Sequence, residues 1–279
     1  MKINAPAKIN LVLDVLNRRP DGYHNVKMVM QSLALCDVVT VELGGSGITI
    51  SSNSGVVPCD DTNIAYKAAK MMLDKAKTDM GVHIDIQKNI PVAAGLAGGS
   101  TDGAAVLLAL NSMLGLGLSK QKLMEIGGKF GADVPYCVIA GTALAEGTGT
   151  ELKELCSYGS HTVLLVKPDI AVSTPWVYKN LNLSDVSHPD VDKFVECIKN
   201  KQYTQSYEYM GNVLESVTIK EYPVIDQIKS KMYSLGALVS LMSGSGPTVF
   251  GIFENEAKAQ LAAEIFKKDF KEVIVTRTV

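Results

Sequence analysis

The sequence predicts an α+β protein of two lobes. Three observations carry this expectation. At 279 residues the chain is long for one hydrophobic core, since single domains stop growing near ~250–300 residues. Short, alternating, β-branched segments open the chain. Beyond Val172 the pattern changes: Pro175, Pro189 and Pro223 separate amphipathic helical stretches and strands become sparse.

In order, residues 9–16, 27–35 and 38–43 read as strands, the first two separated by the turn-rich Asn17-Arg18-Arg19-Pro20-Asp21-Gly22. Gly44 to Gly47 reads as a hairpin turn. Asp61-Thr62-Asn63 is a helix-capping cluster, and Ile64, Ala68, Met71 and Met72 share one face of a helix running toward Asp79. Residues 82–87 form a strand that feeds a glycine-rich loop, then a helix from Asp102 to about Leu114. Ser119 caps a helix over 120–130. Residues 134–139, 143–146 and 162–166 read as further strands. In the second lobe, amphipathic segments at 191–200, 203–215, 224–235 and 256–269 pack on a sheet of 238–242 and 248–253, edged by 273–276. No repeat, low-complexity tract or linker interrupts the chain, and the lobes are placed at 1–158 and 159–279.

Composition narrows the function. A chain 47% hydrophobic and 20% charged, with net charge -2, has no general attraction for nucleic acid or an anionic membrane. Cys36, Cys59, Cys137, Cys156 and Cys197 form no Cys-x-x-Cys pair, and His24, His83, His161 and His188 have no ligand spacing. Reduced thiols and no protein-held metal are expected. The N-terminus enters a strand without secretory features, and the longest apolar run, residues 104–110, is far below the ~18 needed for a bilayer span. A cytoplasmic protein, monomer or weak homodimer, is expected.

Four segments offer chemistry. Pro91-Val92-Ala93-Ala94-Gly95-Leu96-Ala97-Gly98-Gly99-Ser100-Thr101 can aim backbone N–H groups at an anion, helped by the positive end of the following helix. It is neither a Walker A loop nor a dinucleotide fingerprint, and plain helix-entry punctuation is the competing reading. Lys8 shares a strand face with Pro6 and Asn10, toward a cleft or toward solvent. Asp133, in Gly131-Ala132-Asp133-Val134-Pro135, is a turn residue or an ionised proton acceptor. A lysine ~4 Å away would favour the ionised form by about 4 kcal/mol at an effective dielectric near 20. Ser243-Gly244-Ser245-Gly246-Pro247 allows close backbone approach or a simple hairpin. Tyr23, His24, Trp176 and Tyr178 are flat faces that pack internally or together grip a planar base.

Ala5-Pro6-Ala7-Lys8-Ile9-Asn10-Leu11, the 91–102 segment and Met242-Ser243-Gly244-Ser245-Gly246-Pro247-Thr248-Val249-Phe250 resemble the three motifs of the GHMP kinases, and the similarity covers nearly the whole chain. The resemblance implies a two-lobed GHMP kinase fold, with a ribosomal-S5-like N-terminal lobe and a ferredoxin-like C-terminal lobe. It implies ATP-dependent phosphorylation of an alcohol. Segments 19–24 and 131–135 point within the family to the 2-hydroxyl of a cytidine diphosphate-linked methylerythritol, an intermediate of the non-mevalonate isoprenoid route. Carried over by position, Asp133 is the base, Lys8 its charge-stabilising partner and Asn10 a substrate hydrogen bonder. Residues 91–101 hold the ATP phosphates, with Asn63 and Lys88 near the nucleotide. Tyr23, His24 and Tyr178 clasp the cytosine, and Mg²⁺ travels with ATP. Ala93, Ala94 and Ala97 depart from glycines frequent in the family, and Thr101 from a serine. A sister kinase acting on mevalonate, homoserine or a sugar remains open, as does a non-catalytic ligand-binding protein on the same scaffold. Tyr23 and His24 argue for a substrate with a base to stack.

Overall fold

In strand β1 (Lys2–Arg18) every residue from 7 to 15 is buried, the signature of a strand covered on both faces. That run carries Lys8, Asn10 and Asp14 into the interior. The computed structural model describes residues 1–279. After β1 the chain forms β2 (His24–Leu43), β3 (Ile48–Ser52), α1 (Ile64–Ala76), β4 (Val82–Gln87), α2 (Gly98–Met113), α3 (Lys120–Gly127), α4 (Val134–Ile139), β5 (Thr142–Glu146) and β6 (Glu151–Glu154). There follow β7 (Thr162–Lys167), α5 (Thr174–Lys179), α6 (Val191–Lys199), α7 (Tyr203–Ser206), α8 (Glu215–Glu221), α9 (Val224–Ser234), β8 (Val239–Met242), β9 (Val249–Phe253), α10 (Glu256–Phe266) and β10 (Glu272–Arg277).

Two compact units result, interleaved along the chain. The first comprises Met1–Ala7, Leu35–Val92 and Ala97–Ala140. In it the C-terminal part of β2 pairs antiparallel with β4 from Val38↔Gln87 to Leu43↔Val82, and β3 adds to β4 in parallel. Helices α1 and α2 pack closely because Gly103 offers no side chain: a Cβ there would lie 2.5 Å from Ile64 Cγ2. The second unit comprises Lys8–Ala34, Ala93–Leu96 and Gly141–Val279. The N-terminal part of β2 pairs antiparallel with β5, and β5 with β6. A separate antiparallel sheet has the order β10-β7-β9-β8.

Several expectations are corrected. Residues 27–35 and 38–43 are one strand, since the intervening Asp37 is fully buried and its Oδ1 accepts the Asn89 and Ile90 N–H groups. Gly44 to Gly47 does not join paired strands, because β4 lies between β2 and β3 and the turn instead bonds Gly81 and Val82. Helix α2 starts at Gly98, four residues before Asp102. Residues 134–139 are helix, not strand: a short buried apolar run has no diagnostic period, and Pro135 in the first turn needs no N–H partner. The 203–215 segment is broken, because residues 211–213 leave the helical path and bridge to β1 at Leu13, with the Leu13 N–H on Gly211 O and the Val213 N–H on Leu13 O. Strands β3 and β6 were not expected from the sequence.

Candidate active site

In the second unit the strand alternation puts Lys8 and Asn10 side by side. Lys8 is 4% and Asn10 1% exposed; Lys8 Nζ donates to Asn10 Oδ1 at 2.8 Å, and Asn10 Nδ2 donates to Met28 Sδ at 3.2 Å. A desolvated ammonium here is an electrostatic element rather than a solubilising one. The Ser243-Gly246 turn lies against it: a Cβ on Gly244 would sit 3.4 Å from Lys8 Nζ and 3.6 Å from Asn10 Oδ1.

The same turn grips the first arm of the glycine loop. The Thr248 N–H reaches Ala94 O at 3.4 Å, Ser243 Oγ donates to Gly95 O at 3.0 Å, and the Lys8 N–H donates to Leu96 O at 3.1 Å. Three successive loop carbonyls are thus held within the second unit. Gly95 has φ +75, and a Cβ there would meet Ser243 O at 2.5 Å and Gly246 O at 2.8 Å, both backbone atoms. Gly95→Ala therefore combines left-handed strain of about 1–2 kcal/mol with a clash that no side-chain motion relieves. The expected outcome is a loss of roughly 3 kcal/mol in stability, read by thermal melting. An unchanged melt would contradict this packing. The substituted alanines show why glycine is frequent beside it: Ala93 and Ala97 both take left-handed backbone, φ 52 and φ 60, whereas Ala94 does not.

One residue that organises this corner was not singled out from the sequence. Asn212, 7% exposed, donates from Nδ2 to Met242 O at 2.8 Å and to Gly244 O at 2.7 Å, while its Oδ1 accepts the Leu214 N–H. Its backbone pairs with β1, so one side chain ties the Ser243-Gly246 turn to the strand that carries Lys8 and Asn10. No motif signals this, because the contact depends on a bridge 199 positions long in sequence that only the fold creates.

The aromatic pair forms in this unit too. His24 and Tyr178 have ring centroids 5.3 Å apart at 36°, and burial, helped by the Arg18 charge, holds the His24 imidazole below its usual pKa and so neutral at pH 7. Tyr23 is 68% exposed at the tip of a turn that Asp21 fixes by accepting the Tyr23 N–H and the Arg19 guanidinium. A neutral, partly open pair of rings can stack on a planar ligand.

In the first unit α2 begins without a side-chain cap and with no acidic residue in its first turn, so Gly98, Gly99 and Ser100 present uncapped N–H groups at the positive end of a 16-residue helix. That arrangement fits the phosphates of ATP. Asn63 caps α1, its Oδ1 accepting the Ala65 N–H and its Nδ2 donating to Pro58 O, and the next residue, Ile64, lines Gly99. Lys88 lies directly under the turn, its Nζ 3.1 Å from where a Gly98 Cβ would be, and it is ion-paired with both Asp37 and Asp102. Asp133 is half-buried at the start of α4 with ordinary helical backbone and no capping bond. Its turn borders the same loop, since a Gly131 Cβ would lie 3.7 Å from Ser100 Oγ. Pro91 and Val92 lead into the loop half-buried and exposed, and Thr101, Asp102 and their followers bury α2.

No helix is long and apolar enough to cross a membrane. The family model for the GHMP kinases N terminal domain matches residues 63–141, and that for the GHMP kinases C terminal region matches residues 194–272. The chain is 49% identical to the 4-diphosphocytidyl-2-C-methyl-D-erythritol kinase of Acetivibrio thermocellus, over 100% of this chain and 99% of the relative. It is 46% identical to the protein of that name in Clostridium beijerinckii, over the full length of both. A crystal structure of a 4-(cytidine 5'-diphospho)-2C-methyl-D-erythritol kinase superposes with a TM-score of 0.87 at 32% identity, covering 100% of this chain and 99% of the other. The two family-model matches and the full-length similarity agree: the chain belongs to the GHMP kinase family of ATP-dependent kinases, in the branch these 4-diphosphocytidyl-2-C-methyl-D-erythritol kinases form.

Proposed function

We propose that this protein transfers the γ-phosphoryl group of ATP to the 2-hydroxyl of 4-diphosphocytidyl-2-C-methyl-D-erythritol. The observation that carries the reading is full-length identity of 45–49% to relatives that bear this one name. The neutral His24–Tyr178 pair supports it, because mevalonate, homoserine and sugars offer no base to stack.

Phosphoryl transfer needs placement and charge neutralisation more than covalent chemistry from the protein. Asp133 is the base that accepts the hydroxyl proton as the oxygen attacks phosphorus. Lys8 neutralises negative charge developing around the transferred group, and its bond to Asn10 fixes the ammonium's direction. Asn10 also hydrogen-bonds the substrate. Residues 91–101 bind the phosphates through backbone N–H groups, with Asn63 and Lys88 bordering the nucleotide. Mg²⁺ carried with ATP would be held beside the 91–101 turn and would supply charge neutralisation to the phosphates. Tyr23, His24 and Tyr178 hold the cytosine.

The test is ADP release by the purified chain with a panel of alcohols: the cytidylyl methylerythritol, mevalonate, homoserine and galactose. Turnover is expected with the first alone, and cytidine diphosphate is expected to compete with it. Turnover with another alcohol and no competition would replace this reading with a sister activity.

A further inference from the structure

Beneath the first turn of α2 lies an ionic cluster whose two carboxylates have no part in the transfer reaction. Lys88 stands between Asp37 and Asp102, and the three side chains are 7%, 0% and 3% exposed. Two carboxylates share one ammonium, so with all three ionised the cluster holds one uncompensated negative charge away from water. Such a charge is costly unless it is bonded or neutralised.

The two acids are not equivalent. Asp37 Oδ1 accepts the Asn89 and Ile90 N–H groups at 2.6 and 2.8 Å, and its Oδ2 accepts from Lys88. Asp102 Oδ2 accepts from Lys88 at 2.8 Å, but its Oδ1 is buried with no hydrogen-bond partner. An ionised Asp102 therefore leaves an oxygen unsatisfied in the interior. The cluster is also adjacent to the phosphate-facing turn, since Lys88 Nζ is 3.1 Å from where a Gly98 Cβ would be. An anion arriving at the Gly98–Ser100 N–H groups meets the excess charge through a thin, dry layer, where Coulomb repulsion is weakly screened.

We propose that nucleotide binding at this turn is coupled to uptake of a proton by Asp102, which neutralises the cluster beneath the phosphates. The inference rests on the kinase reading above, which places ATP phosphates at the turn. Burial pushes the Asp102 carboxyl up to about 7, opposed by the Lys88 charge and reinforced by that of Asp37. The buried faces of α1 and α3 are apolar, and that of α4 adds Tyr136 and Cys137 to its aliphatic side chains. A bound anion raises the proton affinity of Asp102 further. By linkage, affinity for the nucleotide is then highest where Asp102 is already protonated and declines as pH rises through and above neutrality.

Titration calorimetry of the full chain with Mg²⁺ and ADP at pH 7.5, in buffers of different ionisation enthalpy, counts the protons taken up. Wild type is expected to take up several tenths of a proton per ADP more than Asp102→Asn, which binds ADP within about threefold. The nucleotide's own ionisation contributes equally to both. Across pH 6.5 to 8.5 the wild-type Kd for ADP is expected to rise at least threefold, a readout that needs no variant if Asp102→Asn does not fold. Equal proton uptake in both proteins, or a flat wild-type Kd, overturns the proposal and leaves the kinase reading intact. Failure of ADP to bind at any pH removes the kinase reading and the proposal with it.

Discussion

Asp133→Asn is expected to lower kcat by roughly 10²–10⁴ while leaving the KM for ATP within about threefold. Asparagine keeps the shape and polarity of the side chain but cannot take a proton, so the change isolates general-base function. The structure makes this a clean substitution. Asp133 makes no capping bond to α4, its backbone has φ -85 and ψ -12, and the helix is anchored by Val134 to Val138, all buried. These apolar contacts, not the carboxylate, hold α4 in place, and the thermal melt is expected to stay within a few degrees of wild type. The measurement is steady-state ADP release with the cytidylyl methylerythritol. Near-wild-type turnover would mean that the hydroxyl loses its proton to solvent or to the phosphate, and Asp133 would be left as a turn residue. Loss of turnover together with a collapsed melt would instead make its role structural.

What the sequence disclosed and what it hid follow from where the determining contacts lie. Local signals were legible: the capping cluster Asp61-Thr62-Asn63 before α1 and Ser119 before α3 follow from residue type and position alone, and Asn63 and Ser119 each accept a first-turn backbone N–H. The alternation that put Lys8 and Asn10 on one face of β1 gave the hydrogen bond now seen between them. Legibility ended where burial erased periodicity. Residues 134–139 are apolar on every side, so helix and strand were indistinguishable until the proline and the chain turn decided it. The order β3-β4-β2 was hidden for another reason: which strand a turn leads to depends on the partner sequence, not on the glycines of the turn. Lys88 shows the same limit at the site. The family resemblance places it near the nucleotide, and its ammonium is held by Asp37 and Asp102, residues 51 and 14 positions away. Burying a lysine demands such partners, and no local pattern names them.

Lys8→Met is expected to reduce kcat by about 10²–10³, the range found when one preorganised donor to a developing negative charge is removed. Methionine is the informative replacement. Lys8 is 4% exposed among the unbroken buried residues of β1, so its stem is packing material, and an unbranched apolar side chain keeps that volume while deleting the charge. Asn10 loses the donor that meets its Oδ1, a cost of about 1–2 kcal/mol in stability that a melt will register without unfolding the chain at assay temperature. The kinetics separate two roles. If the ammonium stabilises charge during transfer, kcat falls and both KM values change little; if it only binds substrate, the KM for the alcohol rises and kcat persists. The double variant with Asp133→Asn decides whether the two groups serve one event. Residues acting together on a single transferred proton and phosphoryl group give losses far short of the product of the single effects, because once one partner is gone the other has little left to assist. Independent roles give the full product, a loss of at least about 10⁴ that would place Lys8 and Asp133 in separate steps.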